Sequence, residues 1–289
     1  MTDEATPTLV RDRRTGRLLP ERQFADAGLR LLHGRLRGLL PLVTHPWFSE
    51  LAAIPRRLPG SRRGIDGFVR SFGIDLTDFE PPADGWRSFA EFFVRRFAPG
   101  ARPVPADERL LLSPADGKLR VAALDGHRLR VKSHELTVTE LLGDAEVAAQ
   151  FEDGTAVVVR LTVDDAHRFS HPVSGRVVRA ATTRRLLHTV GPLGTAPFLV
   201  TNSRRWVLVD SPVFGRVCLV AVGALLVGRI DLATGPRAVR GEEAGRFELG
   251  GSTLVLLLEP GRISLDADLV DSPVETRVLA HEPIGRAHA

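Results

Sequence analysis

After residue 108 the chain is cut into short apolar runs, Val157–Leu161, Trp206–Val209, Val217–Val222 and Leu254–Leu258, separated by Gly, Asp and Pro. Runs this short, bounded by turn formers, are strands, because a helix needs about ten residues with a periodicity of its own. The longest apolar stretch, Val217 to Gly228, has 12 residues and contains two glycines. That falls well below the roughly 20 residues required to cross a bilayer, so any membrane contact is expected to be peripheral. No internal repeat divides the region, and residues 106–289 read as one β-rich core.

The N-terminal part has another texture. Residues 1–25 are polar and irregular, and a loose tail is expected there. Residues 26–105 read as helical and basic. Leu29, Leu32, Leu36, Leu39, Leu40 and Val43 recur at helical spacing, with Arg30, Arg35 and Arg37 off the stripe. Such a stripe fits a helix packed on the core. It also fits an interfacial helix, its leucines at the acyl boundary and its arginines on phosphate. Trp47 and Phe48 follow and suit the headgroup level. Further helical segments are expected at Ile65 to Phe72 and Phe89 to Phe97, punctuated by Pro and Gly clusters at 81–85 and 98–105. The fold class is therefore α+β, with N-terminal helices packed on a mainly β core.

Charge and cysteine content narrow the partners. The net charge is only +4, yet twelve arginines fall between Arg11 and Arg63. A cluster of that kind can face anionic lipid, nucleic acid or water. Cys218 is the sole cysteine, so no disulfide can form within the chain and a reducing compartment fits. The first residues are polar and acidic with no apolar stretch, and no signal peptide is expected.

Three segments can carry chemistry. In Gly250-Gly251-Ser252-Thr253, two glycines before a serine allow strained backbone angles, and the apolar run behind them anchors the turn. A serine hydroxyl that attacks its own preceding carbonyl needs that geometry; an incidental serine beside a glycine bulge has the same sequence. In Ser113-Pro114-Ala115-Asp116-Gly117-Lys118, Asp116 either satisfies a turn or orients a histidine base. In Arg160 to Gly175, His167 and His171 lie four apart. On a helix that spacing is a metal pair, but Pro172, the β context and the lack of a Cys or Glu nearby argue against one.

In this order and spacing the segments resemble the phosphatidylserine decarboxylase proenzyme family. Ser88 to Phe97 is similar to its Phe-Phe-x-Arg element, and Val222 to Gly228 to its Val-Gly-Ala-x-x-Val-Gly strand. Val131 to Leu136, Leu141 to Gly143 and Asn202 to Trp206 also match, so the likeness runs from about Leu39 to Gly285. It implies a carboxy-lyase whose Asp–His–Ser relay cuts the chain between Gly251 and Ser252. Asp116 and Ser252 match two members of that relay. The products would be chains 1–251 and 252–289, the second of 38 residues, staying associated. Ser252 would become a covalent pyruvoyl group that forms a Schiff base with the substrate amine, with no metal and no added cofactor.

The resemblance further implies conversion of phosphatidylserine to phosphatidylethanolamine by a peripheral protein on the cytoplasmic side of the cell membrane. Its partners would be an anionic phospholipid and the membrane surface, not nucleic acid, and a homodimer is compatible with it. One departure bears on the base. The family segment Asp-Tyr-His-Arg-Phe-His reads Asp165-Ala166-His167-Arg168-Phe169-Ser170 here, with His171 one position later. His167 and His171 both stand as candidates. The altered segment also keeps open a pyruvoyl enzyme for another amino acid or lipid headgroup, and a non-cleaving, membrane-binding relative.

Overall fold

The computed structural model describes residues 8–21, 37–131, 134–187, 198–225, 227 and 229–288. Its organising element is Ser252–Leu258, in which all seven residues are buried. An uninterrupted apolar strand of this kind needs cover on both faces and a neighbour on each side, and it has both. Among the described residues ten strands form one sheet. In chain order they are β1 (Leu9–Asp12), β2 (Leu18–Pro20), β3 (Gly117–Ala123), β4 (Thr155–Leu161) and β5 (Gly175–Thr183). They continue with β6 (Arg204–Ser211), β7 (Gly215–Val222), β8 (Arg237–Ala238), β9 (Ser252–Leu258) and β10 (Thr276–Val278). Across the sheet the order is β8-β5-β6-β7-β9-β4-β3-β10-β1-β2. Every neighbour pair is antiparallel except β1 with β10. The four apolar runs of the sequence thus lie in β4, β6, β7 and β9, as their length requires.

The helices gather mainly in the N-terminal part, and the molecule is α+β. Helix α1 spans Pro46–Arg57, α2 Ile65–Phe72 and α3 Phe89–Phe93. The Ser88 hydroxyl caps α3 by accepting from Glu91 N at 3.2 Å. Phe68 of α2 meets Phe89 and Phe92 of α3 edge-on, at 5.1 and 6.1 Å between ring centroids. The helix expected to reach Phe97 stops at Phe93. The chain turns at Val94 and buries Arg95 over the rings of Phe79 and Phe92, and Arg96–Phe97 pairs as a strand with Phe79–Glu80. Of the leucine stripe, Leu29, Leu32 and Leu36 lie outside the described residues, whereas Leu39 is exposed and Val43 half-buried.

One expectation is overturned. Residues 9–20 are not a loose tail but a hairpin, β1 and β2, docked on β10. Arg13 pairs with Asp266 at 2.6 Å and Asp268 at 2.9 Å, and Arg11 with Asp268 at 2.8 Å. Glu21, just beyond the hairpin, binds Arg160 at 2.9 Å. Long-range charge pairs order a segment whose own composition gives it no reason to fold.

Candidate active site

Beside the large sheet a three-stranded sheet brings Arg168–Ser170 and Arg229–Leu232 against Glu243–Glu248. Its middle strand, Glu243–Glu248, runs into a turn at Leu249-Gly250-Gly251 and from there into β9. That connection sets Ser252 beside His167, since Phe247 N donates to His167 O at 2.9 Å. The Ser252 side chain is fully buried at the start of β9, in register with Leu161 of β4.

Ser252 Oγ lies 3.3 Å from His167 Nδ1. On the other side of the ring, Nε2 lies 3.0 Å from the Thr162 carbonyl oxygen. A carbonyl only accepts, so Nε2 carries the proton and Nδ1 presents its lone pair to the serine hydroxyl. The ring stacks on Phe93 of α3 with centroids 4.0 Å apart and planes inclined by 21°. Burial drives the His167 pKa from 6.5 down to about 3; Arg95 and Lys118 push the same way, and Asp165 opposes them. The imidazole is therefore neutral at ordinary pH, which is the form a base must have.

The turn upstream is strained. Leu249 has φ 64° and Gly250 φ 78°. Glycine takes that region freely, but a leucine there costs about 1–2 kcal/mol. Leu249 is held in it by burial against Ala53 of α1 and Phe93 of α3. Arg57 of α1 also binds Glu248 at 2.7 Å.

Among the described residues no histidine side chain meets the Asp116 carboxylate. Its Oδ1 accepts from Arg102 Nε at 3.0 Å and from Ala280 N at 2.7 Å, and its Oδ2 from Arg102 Nη2 at 2.8 Å. The Ser113–Asp116 segment is instead clasped to residues 279–282. Ser113 N donates to Glu282 O at 2.8 Å, and His281 N donates to Ser113 O at 2.9 Å. Gly117 follows because a Cβ there would lie 2.7 Å from Val159 Cγ1 and 2.9 Å from Arg160 O.

Of the two candidate histidines, His167 alone reaches Ser252 among the described residues. His171 is buried beyond the end of the Arg168–Ser170 strand, and its backbone N–H donates to Glu242 O at 2.9 Å. Among the described residues its Nδ1 has no hydrogen-bond partner, and burial lowers its pKa to about 4. The Ser170 hydroxyl donates to Pro114 O at 3.2 Å, tying this strand to the Asp116 turn.

Sequence reasoning gave no role to Lys118, Thr162, Asp165, Phe93 or Arg95. Two signals were present: a lysine opening an apolar strand, and the Thr162-x-x-Asp165 spacing by which a carboxylate closes a turn.

A family model described as phosphatidylserine decarboxylase matches residues 89–286. The phosphatidylserine decarboxylase proenzyme 2 of Clostridium acetobutylicum is 32% identical over 277 residues, covering 93% of this chain and 94% of its own. The phosphatidylserine decarboxylase proenzyme of Fusobacterium nucleatum is 30% identical, covering 95% and 96%. That of Chlamydia trachomatis serovar L2 is 33% identical and covers 85% of each chain. With the matched region holding Asp116, His167 and Ser252, this chain belongs to the phosphatidylserine decarboxylase family.

Proposed function

We propose that the chain is a proenzyme that cuts itself between Gly251 and Ser252 and then decarboxylates phosphatidylserine to phosphatidylethanolamine. The observation that carries this reading is the Ser252 hydroxyl facing the lone pair of a buried, neutral His167. His167 Nδ1 takes the hydroxyl proton, and Ser252 Oγ attacks the Gly251 carbonyl carbon. The amide becomes an ester and frees the nitrogen of residue 252. Removal of the α-proton of residue 252 then expels the Gly251 carboxylate and leaves dehydroalanine. Water converts that to a pyruvoyl group with loss of ammonia. The strained turn at Leu249 favours the first step, because breaking the amide lets the turn relax.

The surroundings of Ser252 fit a group made in place. Pairing with Leu161 fixes its backbone, and His167 stands within reach as a proton carrier. Once formed, a pyruvoyl carbonyl supplies an electron sink for loss of a carboxylate next to an amine.

A peripheral site of action, on the cytoplasmic face of the membrane, is part of the proposal. Trp47, Leu51, Ile54 and Leu58 follow one another at helical spacing along α1 and just past its end, each about half exposed. Arg56, Arg57, Arg62 and Arg63 adjoin them, and basic residues beside an apolar stripe suit an anionic leaflet. No helix among the described residues is long and apolar enough to cross a membrane.

Intact mass spectrometry tests the central claim. The purified chain should give two masses, 1–251 and 252–289, the smaller without a free amino terminus, and Ser252→Ala a single full-length mass. A wild-type chain that stays whole after long incubation, or a Ser252→Ala chain that still splits at this bond, would overturn it.

A further inference from the structure

Close to the site lies a buried cation that the uncut chain leaves half satisfied. Arg95 follows α3 and is 2% exposed. Its guanidinium carbon lies 4.4 Å from the centroid of the Phe79 ring and 4.9 Å from that of Phe92. Rings satisfy the faces of a guanidinium, not the N–H groups along its edge. On that edge Nη2 donates to Asp164 O at 2.6 Å, while Nε and Nη1 are buried with no hydrogen-bond partner among the described residues. Arg204, equally buried, has a carbonyl acceptor for each of its three nitrogens. The acids whose fields reach Arg95 are Asp165, Asp116 and Asp164. Asp116 is committed to Arg102 at 2.8 Å and Asp165 to Lys118 at 2.7 Å, and Asp164 offers its backbone carbonyl. Burial lowers the Arg95 pKa to about 10, which leaves the group charged at neutral pH. A buried charge without an ionic partner is costly, and the cost makes sense where the partner arrives later.

Self-cleavage makes such a partner. In the elimination step the α-proton of residue 252 goes to a base, and its electron pair closes the Cα–Cβ double bond. The Cβ–Oγ bond breaks with its electrons on Oγ, which departs within the Gly251 carboxylate. Packing brings Arg95 to this place from two sides. Phe93, two residues before it, packs on Leu249 and stacks on His167. Val163, adjacent to the Asp164 carbonyl that anchors the guanidinium, packs into the same cluster. Behind burial, the Arg95 charge is among the influences that lower the His167 pKa, so its field reaches the ring beside Ser252. Severing the chain also releases the strained turn at Leu249 and Gly250, which frees the new end to shift. We propose that Arg95 is the receiving cation for the Gly251 carboxylate: it draws the leaving group off residue 252 and keeps the new chain end from adding back to the dehydroalanine. The proposal rests on the cut at Gly251–Ser252. A fixed cation in a buried site acts most strongly where charge develops during the reaction, and here that place is the departing carboxylate.

Freshly translated chain, cleaving in neutral hydroxylamine, gives the test. Hydroxylamine converts the ester to a Gly251 hydroxamate, whereas elimination leaves a Gly251 acid, and mass spectrometry of chain 1–251 reads the ratio of the two. Arg95→Met keeps an apolar stem between the rings and removes the charge. It should raise the ratio of hydroxamate to acid by about 10²-fold over wild type, the effect of removing one donor to developing charge. Arg95→Lys should bring the ratio most of the way back. In the Ser252→Ala chain, which should stay uncut, Arg95→Met should be no less stable to urea, since it removes a charge that has no ionic partner there. A wild-type ratio in Arg95→Met overturns the proposal, and so does a variant that yields neither product, because the arginine then acts before the ester. An uncut chain that Arg95→Met destabilises or unfolds overturns it as well, since the arginine then serves the fold before the cut. A wild-type chain that stays whole removes the cleavage reading itself; a wild-type chain that splits, with the same ratio in Arg95→Met, removes only this inference.

Discussion

Acidifying the solution from neutrality toward about pH 5 protonates the histidines of an unfolded chain well before it protonates His167 or His171. Burial lowers these two from 6.5 to about 3 and about 4. Between those values and 6.5 the unfolded state binds more protons than the folded one, so stability rises with pH. It is fully present above the unfolded value of 6.5 and drains away as pH falls through the window beneath it. Each histidine contributes a slope of about 1.4 kcal/mol per pH unit. From 6.5 down to about pH 5 that amounts to about 2 kcal/mol apiece and about 4 kcal/mol together. Carboxyls held low in the fold, such as Asp165 and Asp268, lose their contribution only on entering the ordinary carboxylate range near 4, so the window above it isolates the histidines. Urea unfolding of Ser252→Ala, which should stay intact, read by tryptophan fluorescence at a series of pH values, measures the slope. His171→Gln should remove about half of it. A full slope surviving in His171→Gln, or stability that grows on mild acidification, refutes the reasoning.

Two further outcomes follow from contacts outside the immediate site. Leu51→Asp with Ile54→Asp in α1 puts charge on the exposed apolar stripe, and should abolish sedimentation of the protein with phosphatidylserine-containing vesicles while leaving the fragment pattern unchanged. Arg102→Leu strips Asp116 of its counter-charge while Ala280 still holds it, and should destabilise the fold by about 3 kcal/mol in chemical denaturation, as breaking a buried pair does.

The β core was legible because its signal is local. Leu254–Leu258 has no apolar–polar alternation, and a strand without alternation has both faces covered. The hairpin at residues 9–20 was illegible for the opposite reason. Arg11 and Arg13 are ordered by acids more than 250 positions away, and polar sequence carries no mark of such partners. At the site, two glycines and the strand behind them made Ser252 a candidate, and the resemblance of the surrounding segments to the family's, in order and spacing, singled it out. The choice between His167 and His171 could not, because it depends on the turn at Thr162–Asp165, whose shape is held by Lys118, 47 positions earlier than Asp165. The partner that Asp116 meets was hidden for the same reason. A carboxylate accepts from whichever cation the fold supplies, and Arg102 sits in the loop-rich 98–105 stretch where no periodicity points to it.

A cut at Gly251–Ser252 would leave the short chain interleaved with the long one. Its β9 lies between β7 and β4, its β10 between β3 and β1, and its Pro283–Ala287 strand pairs with Leu110–Leu112. The apolar side chains from Leu254 to Leu258 are all buried, and at about 1.5 kcal/mol or more each they contribute some 7 kcal/mol or more to holding it. Arg160, on the long chain, adds a buried ion pair to Glu275 on the short one. None of these contacts passes through the severed amide, so a cut there would relax the turn at Leu249 and Gly250 and leave the pairing of Thr253–Leu258 with β4 and β7 in place. The interactions that keep the fragments together are then the same ones that keep the group formed from Ser252 facing His167. On this reading a fold that puts its cleavage site at the start of its most buried strand needs no separate device to retain the product of the cut.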